Sequence, residues 1–562
     1  MSVQTGSLPP PGPASARFVD RARFRVRLWE SQPNPLWIRE LRQAARLSRT
    51  PVILTVVAVL TILVIASLGA IVSADASPAT TGVVIFQVFF SIAYFVVTLV
   101  GPAVAANSIA SEREGRTWEA VLLTGLPPTT IARGKFLGAF TAIGMYIVML
   151  APVGALPFLF GGVTATEVVV AFAGLFLIAL LSVAFGLAIS STMASLRAAI
   201  VVTLLLAFPL SIAAFLTFGV SLSIAAHKAW PGVADGPPIW LPTAYERAPF
   251  GVDYLVFLVL LPVLSVVLPA WFLHEVTIAN LTSVTDDRSS GLKRWFLFAA
   301  PALTLAAGIP VVTVSSIDRT AAAVAGLGAL SAFFVFCVFL FAGDPIGPSR
   351  RVVIHWDRRA AGSFRRFLGP GVMRSASLLL GVGGACLAVL AVLGVTAAPL
   401  SARPDAGAVI LFAGYTLAFF VFVVGLGALL RARATTALMA RVVLFAVLFG
   451  VAVGPWVVAA IAGLLGEAGS DRTVLVVAAP SPFYAFVLLD AATRSSAGPL
   501  VAAGVAAMMG WATIGLVLLG AAGRRCAGII RRHEAVLAEG DRLLAAEDAA
   551  ALAAVAPEPD AS

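Results

Sequence analysis

Residues able to do chemistry are sparse in this chain and fall in a few places. His227, His274, His355 and His533 are scattered without the spacing of metal ligands, and Cys337, Cys386 and Cys526 cannot form a framework, so no metal centre is expected and packing is the role expected of the thiols. Asp286 and Asp287 are adjacent, which points them to different helix faces, and they read as a cap and turn rather than a cation site. No Gly-x-x-x-x-Gly-Lys-Ser/Thr loop occurs, so the chain has no phosphate cradle of that type. What remains is one dense polar stretch, ASEREGRTWEAVLLTGLPPTTIARGKFLGA from Ala110 to Ala139, between two long apolar runs. It carries Glu112, Arg113, Glu114, Arg116 and Glu119 around Trp118, then Pro127 and Pro128, then Arg133 and Lys135. Its chemistry is that of caps, charges and an amphipathic surface, which suits a lever rather than a reaction centre.

The elements that position this stretch follow from composition. Of 562 residues 60% are hydrophobic and 12% charged, and the mean hydropathy is +0.99, whereas a soluble domain is about a quarter charged. Apolar runs recur near 51–72, 82–106, 136–160, 166–191, 198–224, 253–274, 295–316, 320–342, 376–399, 406–430, 442–466 and 498–522. Each is long enough, as helix, to cross a hydrocarbon core of roughly 30 Å. Helix is the spanning form, because unpaired backbone groups in lipid cost several kcal/mol each and no alternating barrel pattern is present. The expected fold is all-α, a polytopic transmembrane bundle of about 12 spans. The Pro-rich, then Arg-rich N-terminal stretch has the wrong order and length for a cleaved signal peptide.

With both termini in the cytoplasm, all but six of the 38 Lys and Arg residues fall on the inner side. Only Lys228, Arg247, Arg319, Arg403, Arg472 and Arg494 lie outside, a positive-inside bias that places the chain as a multi-pass protein of the cytoplasmic membrane. The net charge of +10 is then a matter of topology and the anionic lipid bilayer, and no nucleic acid partner is expected.

The loops repeat. Long inner segments follow spans 2 and 8 (107–135 and 343–375), short ones follow spans 4 and 10, and long outer ones rich in Pro and aromatics follow spans 5 and 11. This order predicts two six-span halves, a 6+6 pseudo-repeat running in the same direction, with the pseudo-axis along the membrane normal. The expected organisation is a basic tail and interfacial helix (1–50), a first half (51–275), a cytoplasmic linker (276–294), a second half (295–522) with its loop 343–375, and a C-terminal tail (523–562).

Before the first span, PNPLWIRELRQAARLSRT puts Trp37, Leu41 and Ala44 on one side of a helix. Arg39, Arg42, Arg46 and Arg49 fall on the other side, at about 100° per residue. Such a helix lies in the membrane plane with its arginines toward phosphates and cytoplasm. In the dense stretch, Ser111 and Glu114 have capping-box spacing, and Trp118, Val121, Leu122 and Gly125 follow at helical intervals. These predict an amphipathic helix over 111–126, stopped by Pro127 and Pro128 and tethered to the inner ends of spans 2 and 3. Lys135 opens the next span and is expected to snorkel to the surface.

The run GPAVAANSIASEREGRTWEAVLLTGLPPTTIARGKFLGAF resembles the coupling-helix region of type-2 ATP-binding-cassette (ABC) permeases. Glu112, Arg113, Glu114, Thr117, Leu122, Leu123, Thr124, Leu126, Pro127, Gly134 and Lys135 carry the resemblance, and NPLWIRELRQAAR is similar to that family's elbow helix. The resemblance implies a permease subunit, an exporter rather than an enzyme, moved by a separate ABC ATPase subunit in two copies. Glu112, Arg113, Glu114, Thr117, Trp118, Leu122 and Leu123 would couple to that subunit, which would hold ATP and Mg, and this chain itself would take no cofactor. FAGDPIGPSRRVVIHWDRRAAGSFRRFLGPG occupies the equivalent place in the second half without the Glu-Arg-Glu pattern. It has either diverged to meet a second copy or does something else.

The competing class is an ion-coupled secondary transporter or channel. Ion-coupled carriers hold ionisable groups within the bilayer, and the spans contain none away from their ends, where Glu167, His274 and Glu275 lie. A pathway without fixed charge suits lipid-like or amphipathic cargo better than a small ion.

Overall fold

The computed structural model describes residues 34–46, 49–74, 77–221, 230, 241–313, 319–358, 362–397, 403–465, 475–492 and 498–555. Every regular element among them is helical, and they group into two compact units, Met1–Thr282 and Ser283–Ser562. Eleven helices among the described residues are long and apolar enough to cross a membrane. The twelfth expected run lies in Arg49–Ser73, where a shorter apolar helix, Val59–Ser73, is found.

The first unit contains α1 (Pro35–Arg46), α2 (Arg49–Ser73), α3 (Pro78–Glu114), α4 (Trp118–Leu123) and α5 (Pro128–Gly154). It continues with α6 (Leu156–Phe160), α7 (Ala165–Ser190), α8 (Leu196–Ala214), α9 (Leu241–Arg247) and α10 (Val252–Leu281). Local sequence sets the starts. Ser77 caps α3 with Pro78 next to it, Ser195 caps α8, and Thr164 with Glu167 forms a reciprocal capping box on α7. At 37 residues α3 is about 55 Å long, which exceeds the hydrocarbon core, so its polar last turns stand clear of it.

Lipid offers no hydrophobic drive between spans, so close packing of small residues must hold them. Gly186 of α7 approaches Pro102 of α3 so closely that a Cβ there would lie 2.1 Å from the Pro102 carbonyl oxygen. Nearby, Ser190 Oγ donates to Ala106 O at 2.6 Å and accepts from Ala110 N at 3.0 Å, which stitches the two helices at their polar ends. Phe86, Phe89, Phe90, Ile143, Ile147 and Val183 fill the interior. Phe90 meets Phe89 and Phe172 edge-on at 4.9 and 5.0 Å.

The second unit contains α11 (Ser290–Thr313), α12 (Arg319–Phe341), α13 (Arg350–Arg358), α14 (Ser363–Phe367) and α15 (Val372–Thr396). It ends with α16 (Arg403–Arg433), α17 (Ala437–Leu465), α18 (Tyr484–Ala492) and α19 (Gly498–Val555). Here α16 and α19 cross on glycine: a Cβ on Gly425 would lie 2.4 Å from Gly515 O, and one on Gly515 2.6 Å from Phe422 N. The tail expected after residue 522 begins as an unbroken continuation of the last span, making α19 one helix of 58 residues.

The two units share an order of packing. In each, the fourth span (α7, α16) is central and packs on the second, third, fifth and sixth spans of its own unit, and on the short helix between the fifth and sixth (α9, α18). Each short helix also donates a tyrosine hydroxyl to the start of its sixth span. Tyr245 Oη donates to Leu258 O, and Tyr484 Oη to Leu500 O at 3.0 Å. Burial, with the neighbouring Tyr254, pushes the Tyr245 phenol up to about 12, and burial raises that of Tyr484, so both stay protonated donors.

Candidate functional site

The dense polar stretch does not fold as the single helix its spacing predicts. Helix α3 runs straight through Ser111 and Glu114, so the expected capping box is absent. Ser111 Oγ donates back to Asn107 O at 2.5 Å, the bond a serine makes inside a helix. Glu114 Oε2 instead accepts from Leu196 N at 2.7 Å, the first residue of α8, where a helix N-terminus favours negative charge. The chain reverses at Gly115 and Arg116. Arg116 N donates to Arg113 O at 3.2 Å and Thr117 N to Glu112 O at 2.9 Å, the two bonds of a Schellman turn. Arg116 takes the left-handed position, φ 55°, where glycine is usual. Helix proper is confined to Trp118–Leu123, and Gly125, φ 68°, ends it. Pro127 and Pro128 then cap and open α5.

Helix α4 has an inner and an outer face. Trp118 and Val121 turn inward onto the core of the first unit, and Arg113 lies 5.6 Å over the Trp118 ring while donating to Met193 O at 3.1 Å. Leu122, expected to share the Trp118 face, is instead 48% exposed, and Leu123 is 86% exposed. Both leucines, with Glu119, form the outer surface. Thr117 precedes the helix and uses its hydroxyl on Glu112 O rather than as a cap.

Helix α1 is clamped along one face of α5. Asn34 Nδ2 donates to Thr130 O at 2.8 Å, and Trp37 Nε1 donates to Thr141 Oγ1 at 3.2 Å. Between these bonds lie Gly134 and Gly138, one helical turn apart. A Cβ on Gly134 would sit 2.7 Å from Asn34 Oδ1, and one on Gly138 2.7 Å from Glu40 Cβ, so only glycine admits this contact.

Lys135, expected at the surface, is fully buried under this clamp. Its Nζ lies 3.0 Å from Glu40 Oε1 and 3.1 Å from Glu112 Oε2, and it donates to Ser108 O at 2.8 Å. Arg39 closes on Glu112 and Glu40 from the rim, so it turns into the protein and away from the outward arginine stripe expected of it. Two cations and two carboxylates from α1, α3 and α5 balance, and that balance is what makes their burial tolerable. Leu41 is half-buried and Arg42 exposed, while the side chains of Arg46 and Arg49 lie outside the described residues. The ends of three helices are thereby fused, with α4 fixed to two of them.

Sequence reasoning missed Glu40, Lys135 and Gly138 as members of this site. The signals that could have found them are the Gly134-x-x-x-Gly138 spacing and Glu40 as the one acid in α1.

The second unit ties its corresponding segment differently. Lys293 of α11 is fully buried, 3.1 Å from Asp344 Oδ2, and donates to Gly369 O at 2.7 Å. Asp344 also accepts from the hydroxyls of Ser289 and Ser375. Trp356 of α13 packs so tightly on Gly369 that a Cβ there would come within 2.2 Å of the ring, and Arg374 lies 5.2 Å over it. Asp287 accepts from Ser289 N and Ser290 N at the start of α11, the cap that the adjacent aspartates suggested.

The chain is therefore a bundle of membrane-length helices in which buried ion pairs join the ends of α1, α3 and α5, with the short helix α4 packed beside them. Residues 76–244 match the family described as ABC-2 family transporter protein. Residues 76–244 thus resemble an ABC-2 type permease domain, and the membrane-length helices make the chain a multi-pass membrane protein. The match runs from α3 into α9, includes α4, and lies wholly within the first unit. Neither a curated protein nor a solved structure matches the chain.

Proposed function

We propose that the chain is the permease subunit of an exporter in the cytoplasmic membrane, driven by a separate ATPase subunit that docks on α4 and holds ATP and Mg. The observation that carries this reading is the outer face of α4, where Leu122 and Leu123 are exposed on a helix whose other face is fixed to the ends of α3 and α5. Exposed leucines contribute nothing to the isolated fold, and on a rigid mount they fit a partner's groove. The basic end of each unit faces the cytoplasm, in keeping with the charge distribution. Two fused six-span halves, serving two ATPase copies, are supported by the central fourth span and the matched tyrosine bonds of Tyr245 and Tyr484.

The test is co-purification from native membranes followed by ATPase assay of the complex. Leu123→Asp changes a side chain with almost no internal contact, so the variant should insert and fold normally yet lose the ATPase subunit. Undiminished recovery of that subunit with Leu122→Asp and Leu123→Asp combined would refute docking on α4. Direction is read from ATP-dependent uptake of a lipophilic probe into inside-out vesicles with ion gradients collapsed.

A further inference from the structure

The segment between α12 and α15 differs in charge from the α4 region. Between residues 350 and 374 stand Arg350, Arg351, Arg358, Arg359, Arg365, Arg366 and Arg374 against Asp357 alone. The 111–126 stretch holds Glu112, Glu114 and Glu119 against Arg113 and Arg116. The exposed groups diverge as well: Glu119, Leu122 and Leu123 on α4, but Ile354 with Phe364 (66% exposed) and Phe367 (37%) on α13 and α14. If two identical ATPase copies are the partners, as proposed above, they offer the same groove twice. A groove complementary to a near-neutral leucine pair does not complement a strongly cationic face.

The placement of the segment points to a different occupant. Only four residues separate Phe367 from Val372, the start of a membrane-length helix, and Trp356 on Gly369 with Lys293 on the Gly369 carbonyl holds the segment against the helix ends. Phe364 and Phe367, three apart, therefore stand at the level where headgroups meet acyl chains. Arg350 pairs with Asp541 at 2.7 Å, Arg351 with Asp286 at 3.1 Å and Arg366 with Asp357 at 2.9 Å, while Arg358 and Arg365 are exposed. Arginines beside exposed aromatics at that level are the chemistry of interfacial lipid-binding helices. We infer that α13 and α14 form a docking face for the phosphodiester headgroups of anionic lipids, with Phe364 and Phe367 inserted and Arg358 and Arg365 on the phosphates.

The test uses the full chain with Ser363→Cys carrying an environment-sensitive fluorophore. Ser363 is exposed, and Cys337, Cys386 and Cys526 are buried, which directs the label to the segment. Nanodiscs of phosphatidylcholine alone are compared with nanodiscs in which phosphatidylglycerol replaces a rising share, without ATPase subunit. A blue shift and quenching by lipid-borne spin labels should grow with phosphatidylglycerol and weaken in high salt. Arg358→Gln with Arg365→Gln should lower the docked-to-undocked ratio at a fixed phosphatidylglycerol share by about 25-fold, at roughly fivefold per arginine. Phe364→Ser with Phe367→Ser should remove the quenching and leave the salt dependence. Identical spectra in both lipids would overturn the inference. So would a shift that occurs only when ATPase subunit is added, because the segment would then be a second protein-docking element. Failure of α4 to bind ATPase would leave this result untouched, so the two readings fail separately.

Discussion

Replacing Lys135 with methionine tests whether the charge cluster is the mount of α4. The side chain keeps its length, and the ammonium goes. The Lys135 and Glu112 side chains are 0% and 13% exposed, so the loss leaves Glu112 and Glu40 facing each other with only Arg39 nearby. Removing one partner of a buried pair costs about 3–5 kcal/mol because the remaining charge stays desolvated. Arg39 offsets part of that, which places the expectation near 3 kcal/mol. Arg39→Gln, at a rim position 38% exposed, should cost no more than about 1 kcal/mol, since water screens such a pair. Lys135→Met with Glu112→Gln should recover about 1–3 kcal/mol relative to the sum of the single changes, because the unpaired carboxylate is gone. Denaturant unfolding of the full chain in nanodiscs measures the series, and tryptic cleavage at exposed Arg42 reports release of α1. The reasoning is refuted if Lys135→Met is as stable as Arg39→Gln, or if the double variant is simply additive.

Gly186→Ala should separate α3 from α7 and cut folded yield severely, because its methyl would meet backbone and not a movable side chain; size-exclusion profiles of detergent extracts report it. Arg116→Gly should stabilise the turn before α4 by about 1 kcal/mol by relieving a left-handed non-glycine residue, readable as slower proteolysis between α3 and α4. A cysteine at Phe250, 79% exposed, should react with impermeant maleimide in intact cells, whereas cysteines at Gly115 and Gly362 should require permeabilisation; labelling of Gly362 from outside would invert the second unit.

What was legible in the sequence was whatever depends on length and period. Runs of about 20 apolar residues give membrane-length helices whatever they pack against, and a cap such as that of Asp287 on Ser289 N and Ser290 N acts within one turn. The tertiary use of polar residues was not legible. Ser111 and Glu114 satisfy the spacing of a cap equally well when one bonds back to Asn107 and the other reaches α8, because spacing along the chain does not say which helix end is within reach. Lys135 read as a snorkelling residue because its partners, Glu40 and Glu112, lie 95 and 23 positions away.

The clamps also determine where the first unit can bend. Buried ion pairs join α1, α3 and α5, and the Gly186 and Ser190 contacts extend the block to α7, so the ends of four helices are held together. Close-packed contacts of this kind hold or slip rather than stretch. Compliance must then lie in helices outside the block. Phe215–Ser221, continuing α8, and Leu255–Leu260, within α10, are both wound as π-turns, which weaken the backbone ladder locally. In α10 the π-turn carries Leu258, whose carbonyl receives the Tyr245 hydroxyl, so the soft point of the sixth span is pinned from the end opposite α4. In the docking proposed for α4, a push there is expected to be taken up first at these π-turns, and Tyr245→Phe, which removes the hydroxyl on Leu258 O and lies far along the chain from α4, should change ATP-driven transport while leaving ATPase binding intact; unchanged transport would refute this.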